Sequence, residues 1–360
     1  MHNLNHLTGY RGIAALLVVF YHIQVYVEPY VTTPIAIFLS KGYLAVDFFF
    51  ILSGFVIAFN YFDRIKLSDV KSILRFYAKR FARVYPLHFL ILICYLSIPL
   101  VHILTGRGFD FSGRYSVEGF WSGIMLIQTW GGLNEITWNI PAWSISTELL
   151  AYILFPLVVI IVKPIYNVFG KYGLASFIAL LLFSLSSIFS LTNQINLGEN
   201  IQSLGIFRCV LEFSCGVCVW LIYHNYKKSL MSYGALLYFL GIGIFALGFV
   251  LGLKDYYFVP LSMVIILAGS ISSKNFINET FSHRVFIWLG DISYSVYLTH
   301  YFVKDWFKML FLDSSSASIV WILSYVAFVL LLSHYLYKYF EVPSKNAILH
   351  KLLYKQPKVE

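Results

Sequence analysis

The sequence predicts an all-α polytopic membrane protein of about ten transmembrane helices, with one re-entrant or interfacial segment. Three observations predict it. Hydrophobic residues make up 59% of the 360 residues and charged ones 12%, against about 25% charged in a soluble domain. Mean hydropathy is +0.75. Apolar runs of spanning length recur at 7–27, 42–62, 85–104, 142–162, 173–192, 203–223, 231–252, 256–272, 286–303 and 317–337. Together they make residues 1–345 one transmembrane domain and 346–360 a basic tail, with no room for a sizeable soluble domain.

Charge sets the expected direction of each run. Segment 119–131 (GFWSGIMLIQTWG) is too short to span comfortably. With it re-entrant or interfacial, both termini lie in the cytoplasm and 19 of the 26 Lys and Arg residues collect on that side, as the positive-inside rule expects. Counting it as a span would turn the later basic loops outward. The formal charge of +9 thus reflects cytoplasmic loops and lipid, not nucleic acid. Aromatic residues, 19% of the chain, suit interfacial belts and a packed bundle. Cys94, Cys209, Cys215 and Cys218 all fall in apolar runs, where they read as packing residues despite the redox-like spacing of the last two. The first run contains Arg11 and lacks a small-residue cleavage site, so it is expected to be retained as a span.

That first run, LTGYRGIAALLVVFYHIQVYV, carries Arg11 and His22. At ~100° and 1.5 Å per residue, eleven positions place both on one stripe about 16 Å apart. Such groups inside a membrane need a polar cavity or partners. Arg11 near the cytoplasmic face and His22 in the outer half fit either a functional site or a snorkelling Arg and a packing His. The second run (GYLAVDFFFILSGFVIAFNYF) holds Asp47 near its outer end, then Ser53-Gly54, suited to close helix packing or to a break that frees backbone amides.

Segment 63–84 is the most basic stretch. From Asp69 it reads as an amphipathic helix in which Arg80 and Arg83, three apart, present guanidinium groups to one face. The pair suits phosphate or ordinary juxtamembrane lipid contact. Residues 130–148 (WGGLNEITWNIPAWSISTE) read as an irregular outer segment entering a span at Pro141, with Glu148 at a depth comparable to His22. Arg208 and Glu212, four apart, can pair. Asp291 falls near a cytoplasmic end and His300 in an outer half, and Glu341 with Pro343 is expected to stop the last helix.

His22, Asp47, Glu148 and His300 thus gather in the outer halves of the spans, and Arg11, Arg80 and Arg83 on the inner side. His22, His300 and Glu148 could meet at a metal, but no local ligand spacing supports one, so none is expected. No Walker loop and no Gly-rich βαβ turn points to nucleotide hydrolysis.

In order along the chain, Arg11 and His22, Asp47-Phe48-Phe49-Phe50-Ile51-Leu52-Ser53-Gly54-Phe55, Arg80-x-x-Arg83 with Tyr85-Pro86, Trp143-Ser144 through Glu148, Arg208 through Glu212-Phe213 and Gly216, Leu289-Gly290 with Ser293-Tyr294 and Tyr297 to His300, and Phe340-Glu341-x-Pro343 resemble the motifs of the acyltransferase-3 family of integral membrane O-acyltransferases. The resemblance is to its stand-alone members, without an SGNH-type domain, and implies a bacterial inner-membrane enzyme. It implies transfer of an acyl group, usually acetyl, from cytoplasmic acyl-CoA to a hydroxyl of a carbohydrate or glycolipid such as O-antigen, capsule or exopolysaccharide. His22 is then the expected general base or transient acyl acceptor, oriented by Glu148 or Asp47. Arg11 would stabilise developing charge, and Arg80 and Arg83 would bind CoA phosphates. Ser53, Trp143, Arg208 and His300 are expected to support the site. The competing class is a transporter or polysaccharide flippase; against it stands the lack of repeated halves with paired broken helices.

Overall fold

The computed structural model describes residues 4–66, 68–194, 196–272, 276–312 and 317–354; the end of the expected basic tail, 355–360, lies outside them. Among the described residues there is no strand. Sixteen α-helices follow in order among these residues. They are α1 (Asn5–His22), α2 (Gln24–Val27), α3 (Thr33–Ser40), α4 (Ala45–Tyr61), α5 (Val70–Cys94), α6 (Ser97–Leu104), α7 (Val117–Met125) and α8 (Trp143–Leu191). The rest are α9 (Ile201–Leu230), α10 (Gly234–Val250), α11 (Phe258–Ile271), α12 (Phe276–Phe281), α13 (Arg284–Asp291), α14 (Ser293–Phe311), α15 (Ile319–Leu336) and α16 (Val342–Leu349).

Among them, five helical runs are long and apolar enough to cross a membrane, or six when the bent pair at α1 counts as one. This makes the protein multi-pass without reaching the expected ten crossings. Broken helices account for much of the difference. The run Ile140–Leu191 is 52 residues long, roughly twice what one crossing needs. Its helix breaks at Gly170 (φ 58°), a positive φ that glycine adopts without strain. Similarly, the 50-residue run Ile201–Val250 contains both α9 and α10. α7, at nine residues, is too short to cross.

Three boundaries differ from the sequence reading. The first helix ends at His22 instead of reaching Val27, and the chain bends by 77°. The bend buries Ile23 and Val27 in a cluster with Trp321 and Tyr325 of α15, so tertiary packing overrides a straight continuation. The basic amphipathic segment and the next span form one helix, α5, which starts at an Asp69 cap and continues through Pro86. The chain does not stop at Glu341 and Pro343. A π-helical turn, Tyr337–Glu341, leads directly into α16, where Pro343 sits in the first turn that tolerates it.

α9 is the hub, packed between α4 and α8. It buries Cys209, Phe213, Cys215, Val217 and Cys218. It meets α4 backbone to backbone. A Cβ on Gly54 would stand 2.0 Å from the Phe213 carbonyl oxygen, and one on Gly216 2.0 Å from that of Ile51. Gly54 therefore serves close packing, and α4 stays helical around it. Gly216→Ala should cost about 1–3 kcal/mol through helix separation, read as a lower melting temperature in detergent; an unchanged melt would contradict this crossing.

Candidate active site

The first helix and α14 set the axis of the site. A Cβ on Gly290 would meet the Thr8 carbonyl oxygen at 1.9 Å, and one on Gly12 the Leu289 Cβ at 2.7 Å. Farther along, His22 meets His300. The first helix therefore runs beside α13, which holds Leu289 and Gly290, and then beside α14, in the same direction. Arg11 shares a cavity with Ser293, Tyr294 and Tyr297 of α14, and His22 faces the residue three beyond Tyr297. The single stripe expected for Arg11 and His22 thus lies along one neighbouring helix.

The cavity, of about 150 Å³, is lined by residues of α1, α4, α5, α8 and α14. Its polar lining includes Arg11, Ser53, Arg80, Arg83, Glu148 and Tyr152. The Glu148 Oε1 accepts from Ser53 Oγ at 2.6 Å and from the Tyr152 hydroxyl at 2.5 Å. The Arg80 guanidinium stacks near Tyr61 (5.4 Å), Tyr152 (5.9 Å) and Phe76 (6.0 Å). Its Nε is buried without a hydrogen-bond partner. Arg83 pairs with Glu341 and stacks over Tyr294 at 5.2 Å. Ser295 donates to the other Glu341 oxygen at 2.6 Å. Among the described residues, Arg11 and Arg80 have no ion-pair partner within 4.0 Å, although Arg11 lies in the fields of Glu148 and Asp291. With Arg83 balanced by Glu341, the cavity keeps two cationic side chains against the one Glu148 carboxylate.

Tyr297 closes the far end. Its hydroxyl lies 2.6 Å from Ser144 Oγ, and its ring centroid 6.0 Å from that of His300. One aromatic layer therefore separates the cavity from the histidine pair, in which His22 Nδ1 and His300 Nε2 are 3.2 Å apart. Tyr301 packs edge-on against His22 at 5.0 Å. Lys304 and Arg114 sit over the Tyr301 ring, and Arg114 pairs with Asp305. Burial works against the Arg114 charge, but Asp305 outweighs it and holds the guanidinium above its ordinary range.

Two expected placements are corrected. Glu148 is not beside His22; it lies in the arginine cavity, held by Ser53 and Tyr152. Asp47 does not reach His22 either, because Arg208 holds it bidentately at 2.6 and 2.7 Å. Both side chains are about 98% buried or more. Arg208 also donates to the Leu197 carbonyl and stacks on Trp143 at 5.6 Å. Asp47, Arg208 and Trp143 are thus one structural cluster. The expected Arg208–Glu212 contact survives only as a 4.0 Å approach. Sequence reasoning missed Tyr152, one turn from Glu148 and findable by i,i+4 spacing. It also missed Tyr294 and Tyr297 as cavity walls, and Glu341 as the partner of Arg83. Among the described residues no group of three His, Cys, Asp or Glu side chains could hold a metal ion.

The family described as "Acyltransferase domain" matches residues 4–338. Acyltransferase MdmB of Streptomyces mycarofaciens is 35% identical over 158 residues, 42% of this chain and 38% of that protein. O-acetyltransferase OatA of Staphylococcus aureus is 23% identical over 365 residues, covering 94% of this chain and 57% of that protein. The chain thus spans well under two thirds of each relative's length. No solved structure matches it. With nearly its whole length matched, the chain belongs to the acyltransferase domain family.

Proposed function

We propose that the protein is a membrane O-acyltransferase. In this reading it moves an acetyl group from cytoplasmic acetyl-CoA to a hydroxyl of a cell-surface carbohydrate, in the plasma membrane of a bacterium with both termini inside. One observation carries the proposal: a cavity that sets Arg11 and Arg80 against the single carboxylate of Glu148 lies one aromatic layer from a histidine pair that has no carboxylate partner among the described residues. Family membership and the O-acetyltransferase name of one relative support the chemistry. The basic character of α5 supports placing the Arg80 end on the cytoplasmic side.

The cavity's chemistry fits the donor. The orphaned Nε of Arg80 suits a phosphate oxygen, and a guanidinium fork suits phosphate better than an ammonium. Arg80 and Arg83 hold the donor phosphates. Arg11, deeper along α1, favours negative charge that develops during transfer. Glu148, fixed by Ser53 and Tyr152, sets one carboxylate among the arginine side chains. His22 takes the proton of the acceptor hydroxyl, about 16 Å from Arg11, a span that an extended pantetheine arm bridges.

Arg80→Gln isolates the donor contact, since Arg80 has no ion pair and its loss orphans no carboxylate. Losing a charge-assisted hydrogen bond costs about 1.5–3 kcal/mol, or roughly ten- to hundredfold in acetyl-CoA affinity. Titration calorimetry on the purified full chain reads it. Unchanged affinity would remove the phosphate role. Arg83→Gln is the poorer probe, because it strands the buried Glu341.

A further inference from the structure

Among the described residues, His22 has no carboxylate to orient it. Its Nδ1 lies 2.9 Å from the Val18 carbonyl oxygen and 3.2 Å from His300 Nε2, while His300 Nδ1 lies 3.1 Å from the Val296 carbonyl oxygen. Carbonyl oxygens only accept, so these partners assign a hydrogen to each Nδ1. In the neutral His300 ring, Nε2 is then a bare lone pair, and it accepts from His22 Nδ1–H. The same assignment leaves His22 Nε2 as a lone pair, and no described residue bonds it. His300 is fully buried and firmly held: Tyr325 of α15 donates to its carbonyl oxygen at 2.9 Å, and Tyr297 packs on its ring. His22 is half-buried. The inner ring is thus a fixed acceptor and the outer ring presents the free nitrogen. The other titratable groups facing the pair are Tyr21, Tyr297, Tyr301, Tyr325 and Lys304.

We propose that His300 is a positioning residue: a neutral imidazole that sets the His22 tautomer from Nδ1 and stabilises the imidazolium formed when His22 takes a proton at Nε2. It stands where a carboxylate stands in a hydrolase triad. The inference rests on the reading of His22 as general base for acyl transfer. In that step the acceptor oxygen bonds to the acyl carbon and the carbon–sulfur bond of the thioester breaks. The hydroxyl proton passes to His22 Nε2 and then to the departing thiolate. While His22 is charged, its hydrogen bond to His300 becomes charge-assisted and strengthens. Because His300 stays neutral, the bundle carries no additional buried charge in the resting state.

The test is acetyl transfer from acetyl-CoA to the endogenous acceptor in native membranes, comparing the wild type with His300→Ala and His300→Gln. Glutamine places a carbonyl oxygen near the position of Nε2 and keeps an acceptor without a titratable ring. His300→Ala should lower kcat about 100-fold and leave KM for acetyl-CoA unchanged, since the arginine cavity lies beyond Tyr297. His300→Gln should recover at least about tenfold of that loss, as expected when acceptance by the residue-300 side chain is the essential feature. A kcat within about twofold of wild type for His300→Ala would overturn the proposal. So would a glutamine variant no better than alanine, or a loss carried by KM. If the alanine variant fails to insert, the glutamine variant decides alone: a kcat within about tenfold of wild type supports the role, and a kcat as low as that of His22→Ala overturns it. An active His22→Ala enzyme would sink the base itself; an inactive one beside a fully active His300→Ala would sink only the positioning role.

Discussion

His22→Ala is expected to abolish acyl transfer while the protein still inserts, folds and binds acetyl-CoA. Removing a general base costs about 10²–10⁴ in rate, and because the remaining imidazole, His300, is fully buried the upper end is expected. Stability should change little. The half-buried His22 ring makes two polar contacts, to Val18 and His300, and a net hydrogen bond is worth about 1 kcal/mol. Donor affinity should hold because His22 does not line the arginine cavity. Transfer of labelled acetyl in native membranes, with a detergent melt and calorimetry on the same variant, separates these effects. Retained transfer would contradict the assignment.

Asp47→Ala has an equally large effect of a different kind. It strands the guanidinium of Arg208, itself 1% exposed, and breaking one side of a buried pair costs about 3–5 kcal/mol. The expected result is loss of folded protein from the membrane. A double change, Asp47→Leu with Arg208→Met, removes both charges and should recover much of that yield, since apolar replacement of a buried pair is often neutral. An Asp47→Ala protein that accumulates and melts like wild type yet fails to transfer acetyl would restore Asp47 to the chemistry and contradict the structural role. Fluorescence-detected size-exclusion chromatography reads the yield.

These two residues also mark what was legible in the sequence. Arg11 and His22 could be placed on one stripe because helix periodicity is local, and the structure puts that stripe along α14. Arg80 and Arg83 were recognisable for the same reason, three residues apart on one helix. Pairing across the bundle was not legible. Asp47 and Arg208 are 161 positions apart, and nothing in either run shows which helices become neighbours. The visible partner for Arg208 was Glu212, which the fold leaves at 4.0 Å. The depth of Glu148 is not legible in the sequence because distance from a helix start does not reveal how α8 sits against α4. That packing brings Glu148 to Ser53 in the middle of α4. In the sequence, Glu341 stands out for its proline neighbour and reads as a stop. Its role depends on the π turn before α16, which carries it to Arg83, and backbone detail of that kind leaves no periodic trace.

The central claim is that this bundle esterifies a surface carbohydrate using His22. Its most direct test is mass spectrometry of surface glycans from cells carrying the wild-type protein, no protein, or His22→Ala. Acetyl esters are expected with the wild type alone, and equal glycan amounts in all three. Identical ester content in the three samples would contradict it, as would a change in glycan quantity without a change in esterification, the result a flippase would give.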